Sequence, residues 1–222
     1  MLTVVVFAIV GYLVGSIPFG IIIARAHGKD LRAIGSGNIG ATNVARALGR
    51  KWGYTCFALD VLKGLIPTLA FGVVAGANAG TAAYTPQVLA AWLLVGIATI
   101  LGHIFPLYLA FKGGKGVATS FGVALGLWPY FTIPALIALV VWVVLVLAFH
   151  YISLASIFAS IAFPIALIVG IIVAPGWAAA TLWPLFIAAV LIPLLVILRH
   201  RENIRRLLAG QESKIRPKHL TT

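Results

Sequence analysis

Long apolar runs alternate with short polar islands along this chain. The runs cover residues 2–24, 53–76, 86–110, 153–174 and 178–198, and a longer apolar block covers 117–150. Windows of about 18 or more apolar residues predict helices that cross a bilayer. As a single helix, block 117–150 would measure about 51 Å, against a hydrocarbon core of about 30 Å. It contains Pro129 and Pro134, and an internal proline removes an amide donor and clashes with the preceding turn. A break near them is therefore predicted, leaving two halves of about 17 residues, the lower limit for a crossing. The first half, 117–133, has a half-inserted helix as its alternative.

Composition supports this pattern. Of 222 residues, 62% are hydrophobic and 9% charged, more apolar surface than a soluble domain of this size can hide. The N-terminus does not read as a signal peptide: it lacks a basic start, and its apolar run of about 22 residues is too long. Cys56 is the one cysteine, so the chain has no internal disulfide and no thiolate metal cluster.

Charge then fixes the predicted topology. The formal net charge is +12, and the 16 Lys and Arg residues fall in three clusters. Seven lie between Arg25 and Lys63, two are Lys112 and Lys115, and seven lie between Arg199 and Lys218. The connections at 76–86, around 130 and at 173–180 carry no charge. Seven crossings place every basic cluster on one face, as the positive-inside rule requires, whereas six would put the basic tail outside. The expected fold is an all-α integral membrane protein of seven transmembrane helices, N-terminus out and C-terminus cytoplasmic. No internal repeat is visible, and residues 1–222 read as one domain. In this setting the positive charge suits anionic lipid or anionic substrates, not nucleic acid.

The polar chemistry gathers in three islands at the predicted cytoplasmic boundary. The first is GKDLRAIGSGNIGATNVARALGRK, residues 28–51. Gly35, Gly37 and Gly40 match a GxGxxG spacing, but a membrane helix precedes them where the dinucleotide fingerprint needs a strand. What remains is a dense set of donors: Ser36, Asn38, Thr42, Asn43, Arg46 and unhindered glycine amides. A helix starting after Gly40 could also aim its free amides at an anion. The alternative reading is a flexible surface loop.

The second island is GHIFPLYLAFKGGKG, containing His103, Gly113, Gly114, Lys115 and Gly116. It fails as a nucleotide P-loop, because Leu109 stands where a glycine is needed and Gly116 where Ser or Thr would hold magnesium. Successive glycine amides can nonetheless form an anion nest, with Lys115 as a point charge. The plainer alternative is two lysines that merely obey the positive-inside rule. The third island, RHRENIRRLLAGQE at 199–212, predicts a short amphipathic helix stopped at Gly210. On it His200 and Asn203, three apart, share a face. A helix that only anchors at the membrane surface is its alternative.

Acid–base chemistry is scarce. Asp30, Asp60, Glu202 and Glu212 are the four carboxylates, and no His or carboxylate spacing suits zinc or magnesium, so no metal and no cofactor are expected. Asp60 and Lys63 lie inside an apolar span, where a charge costs about 2.5–3.5 kcal/mol. Their spacing predicts a structural ion pair. Cys56 reads as packing. Trp52, Tyr54, Tyr84, Trp92 and Tyr151 read as an interfacial aromatic belt. This inventory suits a reaction that joins two phosphorylated substrates with little proton transfer by the protein. An organophosphate or anion transporter is the competing class, although transporters usually place polar groups near the midplane and carry internal repeats.

Five segments carry a resemblance to a known family: GSIPFG at 15–20, GSGNIGATNVAR at 35–46, ALDVLKG at 58–64, GHIFPLYLAFKGGKGVAT at 102–119 and RHRENIRRLLAGQE. With them the chain resembles, along nearly its whole length, the bacterial membrane acyl-phosphate:glycerol-3-phosphate acyltransferases, the PlsY family. The resemblance implies a seven-helix enzyme of the cell inner membrane with its active site at the cytoplasmic face. Such an enzyme moves an acyl chain from acyl phosphate to the sn-1 hydroxyl of glycerol 3-phosphate. It also implies a soluble partner that makes the acyl phosphate. By the same resemblance Ser36 and Arg46 match essential residues of the first motif. Lys115 with Gly113, Gly114 and Gly116 matches a phosphate-binding loop, and His200 with Asn203 matches the functional pair of the third motif. Gly35, Gly37, Asn38, Gly40, Thr42, Asn43 and His103 are expected to bind substrate beside them. None of His27, His103, His150, His200 and His219 has an Asp five residues on, the pair used by soluble glycerolipid acyltransferases, so transfer is expected to be assisted by the substrate itself.

Overall fold

The computed structural model describes residues 1–79 and 84–215, which are helical without strands. Arg216, Lys218 and His219, and residues 80–83 of the uncharged 76–86 connection, lie outside the described residues. Helices α1 (Leu2–Gly15) and α2 (Phe19–Ala26) form one apolar span broken at Ser16–Pro18. Pro18, which has no amide to donate, sits at the break. After the polar helix α3 (Ala41–Leu48) come α4 (Arg50–Ala79) and α5 (Pro86–Ile104). They are followed by α6 (Val117–Gly126), α7 (Thr132–Phe149), α8 (Ile152–Val173), α9 (Ala179–Arg199) and the short α10 (Arg201–Leu208).

Among the described residues, 6 spans are long and apolar enough to cross a membrane, and this is an integral membrane protein. Block 117–150 does break, but unevenly. α6 has 10 residues, about 15 Å and half of a hydrocarbon core, while α7 has 18. Pro129 lies in the break, whereas Pro134 sits in the first turn of α7, where a missing amide breaks no helical bond. The Thr132 hydroxyl, 3.1 Å from both the Ala124 and Leu125 carbonyls, closes the turn after α6.

Small residues set the helix contacts. A Cβ on Gly15 would meet the Thr99 carbonyl, and one on Gly102 would meet the Tyr12 carbonyl, so α1 and α5 touch backbone to backbone. Gly64 and Gly122 do the same for α4 and α6, and Gly126 makes room for the Thr68 side chain. Close approach of this kind drives helix association where lipid offers no hydrophobic contrast. One expectation needs correcting. Trp92 is not in an interfacial belt: it is 3% exposed, packs on Gly72 and donates from Nε1 to the Thr68 carbonyl at 2.7 Å. A buried indole needs such an acceptor, and α4 supplies it.

Candidate active site

The first island is a loop folded around one amide. Asn43, buried on α3, accepts from the Ser36 backbone amide at 3.1 Å and donates to the Leu31 and Ile34 carbonyls at 3.0 and 2.9 Å. Its hydrogen bonds go to the loop, so Asn43 clamps the loop that carries Ser36. Gly35, at φ +59, lies so close that a Cβ would press on Asn43 Oδ1. Asn38 Oδ1 accepts from the Gly40 amide at 2.9 Å, just before α3 begins at Ala41. Gly37 adopts φ +66, and Thr42 is half-buried in the first turn of α3. The Ser36 hydroxyl and the Arg46 guanidinium are left exposed on this rigid unit.

The glycine loop is seated differently from the nest expected of it. The amides of Gly113 and Gly114 donate to the Ile104 and His103 carbonyls at 3.1 Å each, capping the end of α5. They are taken up by the fold and do not point at a ligand. A Cβ on Gly114 would strike the His103 ring, and one on Gly113 would meet the His103 and Ile104 carbonyls, so no other residue fits this close approach. His103 is 5% exposed beneath the loop. Gly116, at φ +85, turns the chain into α6. From opposite sides, Arg199 donates to the Gly114 carbonyl at 3.2 Å and Arg32 donates to the Lys112 carbonyl at 2.7 Å.

The third island meets the second at Lys115. Lys115 Nζ donates to Asn203 Oδ1, and Asn203 Nδ2 donates to Glu212 Oε1 at 2.6 Å. Glu212 also accepts from the Ser153 hydroxyl and from Arg206 Nε, each at 2.7 Å. Burial opposes its charge, but these three bonds and the Arg206 charge outweigh it and hold the carboxyl below its ordinary range. Burial lowers Lys115 to about 8. Glu212 pulls it back up, while Arg206, Arg46 and Arg199 push it further down. The first and third islands thus act electrostatically on the ammonium of the second.

His200 is 3% exposed. Burial, and then the Lys115 charge, lower it to about 4, so its ring is neutral at physiological pH. Nδ1 lies 2.8 Å from the Val196 carbonyl, and a carbonyl can only accept, so Nδ1 carries the proton and Nε2 presents a lone pair. Sequence reading missed Glu212 and Ser153. Glu212 was legible only as one of four carboxylates, just beyond the Gly210 stop. Ser153 gave no signal, opening an apolar helix with no motif around it.

The arrangement offers cations from three loops, a hydroxyl and a neutral imidazole acceptor at one end of the bundle. Among the described residues no group of three His, Cys, Asp or Glu side chains could hold a metal. An apolar cavity of about 340 Å³ lies apart from this chemistry, between α5 and α9. It runs from Ala90 and Trp183 to Leu101 and Leu195, and its inner end lies one turn before Arg199 and His200.

Comparison with known proteins sets the site in context. Residues 5–210 match the model of the family described as glycerol-3-phosphate acyltransferase. The glycerol-3-phosphate acyltransferase of Aquifex aeolicus is 44% identical over 206 residues, covering 93% of this chain and 96% of that one. That of Geobacter sulfurreducens is 43% identical over 217 residues, covering 97% and 100%. Two crystal structures of PlsY, an integral membrane glycerol 3-phosphate acyltransferase, superpose on this fold and cover 96% of each chain. Its glycerol 3-phosphate form gives a TM-score of 0.80 at 42% identity, and its lysophosphatidic acid form 0.78 at 41%.

Proposed function

We propose, for a chain that belongs to the glycerol-3-phosphate acyltransferase family, that it transfers a fatty acyl group from acyl phosphate to the sn-1 hydroxyl of glycerol 3-phosphate. The observation that carries this reading is the meeting of the second and third islands, where Lys115 bonds Asn203 and Arg199 bonds the Gly114 carbonyl, with the Arg46 charge felt at Lys115 and a neutral His200 near it. Arg46, Lys115 and Arg199, with Arg206 already paired to Glu212, suit two phosphate groups, and the lone pair of His200 Nε2 suits the hydrogen of an alcohol.

The chemistry balances without a cofactor. The sn-1 oxygen attacks the acyl carbonyl carbon, and the bond from that carbon to the phosphate oxygen breaks. The hydroxyl proton passes to the departing phosphate. The products are 1-acyl-glycerol 3-phosphate and inorganic phosphate. Acyl phosphate is already activated, so the protein supplies proximity and charge stabilisation. Lys115, held by Asn203, binds one phosphate, while Arg46 and Ser36 bind the other. His200 orients the attacking hydroxyl. The apolar cavity between α5 and α9 receives the acyl tail, since it is lined by apolar side chains and its lining residue Leu195 lies one turn before Arg199 and His200.

The membrane reading extends in the same way. Seven crossings, with α6 and its flanking loops as the short one, put the three basic islands and this site at the cytoplasmic face of the inner membrane. A soluble enzyme then delivers acyl phosphate there. A charge-assisted contact is worth about 1.5–3 kcal/mol, so Lys115→Ala and Ser36→Ala should each lower kcat/KM at least about tenfold. If both purified variants are folded and turn over within about twofold of wild type, the site assignment is wrong.

A further inference from the structure

Four polar side chains lie buried in apolar helices beneath the glycine loop, and the mechanism above does not use them. Asp60 on α4 pairs with Lys63 at 2.8 Å, and both are 3% exposed. Lys63 also donates to the Ile17 carbonyl at 2.8 Å, reaching the break between α1 and α2, and sits over the Phe19 ring. The buried Cys56 thiol faces Asp60 Oδ2 at 3.8 Å. His103 Nδ1 lies 3.7 Å from Asp60 Oδ1 and has no hydrogen-bond partner among the described residues. The other edge of the same ring, Nε2, abuts Gly114, and His103 and Ile104 hold the amides of Gly114 and Gly113.

An ion pair that served only to neutralise itself would need no contact with the site. This one connects the α1–α2 break, through the His103 ring, to the residue next to Lys115. The loop is gripped from below by His103 and from the side by Arg199. Lys115 follows directly, with its ammonium already fixed on Asn203. Any shift of the ring moves Gly114, and with it the lysine.

We infer that Asp60, Lys63 and His103 are positioning residues: they form a charged floor that sets the height of the glycine loop and so the place of Lys115. None of them touches substrate. The inference rests on the acyltransferase reading, and it assigns a function to intramembrane charges, which are costly to keep in an apolar span.

The test uses purified protein in detergent with palmitoyl phosphate and glycerol 3-phosphate. It compares wild type with Asp60→Asn, His103→Gln, the double variant Asp60→Leu/Lys63→Met, and Trp92→Phe. Trp92→Phe removes a buried hydrogen bond between the same two helices, α4 and α5, away from the loop. In folded Asp60→Asn and His103→Gln, KM for the substrate whose phosphate Lys115 holds, glycerol 3-phosphate or palmitoyl phosphate, should rise about tenfold while the other KM stays near wild type, as misplacing a binding group predicts. The basic limb of kcat/KM should move up from near pH 8 as Lys115 becomes hydrated. The groups facing Lys115 are Arg46, Arg199, His200, Arg206 and Glu212, and all are unchanged in these variants.

The double variant leaves no unpaired buried charge and should fold, yet it should keep the raised KM and the displaced limb. Trp92→Phe should lose thermal stability with wild-type KM and pH profile. If Asp60→Asn does not fold, the double variant decides alone. Wild-type KM and pH profile in the folded double variant would show that only charge balance matters and overturn the inference. A wild-type protein that transfers nothing from palmitoyl phosphate would overturn the functional reading and this inference with it.

Discussion

Lys115 is the most constrained charge in the site. Burial and three guanidinium groups lower it to about 8, and Glu212 alone opposes them. If it binds phosphate as the ammonium, kcat/KM should be full well below pH 8, fall to half near pH 8 and keep falling above it. A bound phosphate favours the charged form, so the limb seen in kcat, which reports the complex, should lie at higher pH than the limb in kcat/KM. His200, near 4, should give no acidic limb around its ordinary value of 6.5. A pH–rate series at saturating and limiting glycerol 3-phosphate, compared with the titration of the substrate's own phosphate, checks all three points; activity that falls as the pH rises through about 6.5 would mean that His200 acts protonated. Much of this chemistry was legible in sequence: Ser36, Arg46, Lys115, His200 and Asn203 stand as polar residues in short motifs. At Asn43, Gly113 and Gly114 residue type showed donor capacity but not its partners in the fold. Their donors face carbonyls that only the folded loop brings within reach.

At the scale of elements, hydrophobic runs predicted the helices, while the details came from contacts the runs do not encode. Pro134 looked like a breaker and proved harmless because it falls in the first turn of α7. Trp92 looked interfacial, yet α4 supplies Gly72 to make room for it and the Thr68 carbonyl to bond it. The Asp60–Lys63 pair was legible from spacing alone and is present at 2.8 Å. The short α6 makes the direction of the later helices the sharpest structural question. Cys56 is fully buried and gives little background for thiol labelling. In spheroplasts, Ala178→Cys, exposed between α8 and α9, should react with an impermeant maleimide. Ser213→Cys, exposed after α10, should react only once the membrane is opened. The reverse pattern would place the third basic island outside and refute the seven-crossing topology.

For the whole molecule, the three islands lie far apart in sequence and come together through a few backbone-level contacts. α5 ends under the glycine loop, α9 delivers Arg199 and His200 to its side, and the chain after α10 folds back so that Glu212 reaches Ser153 and Ile215 reaches the His150 carbonyl. If two phosphates bind there as proposed, their binding energy can be spent on orienting one carbonyl and one alcohol. No sealed compartment is needed for this, which separates it from transport. The most direct test gives the purified protein palmitoyl phosphate and labelled glycerol 3-phosphate in detergent and measures both products. The account predicts labelled 1-palmitoyl-glycerol 3-phosphate and inorganic phosphate in equal amounts, with a rate that saturates in each substrate. Absence of labelled lipid in detergent, alongside uptake of glycerol 3-phosphate by the same protein in sealed vesicles, would contradict it.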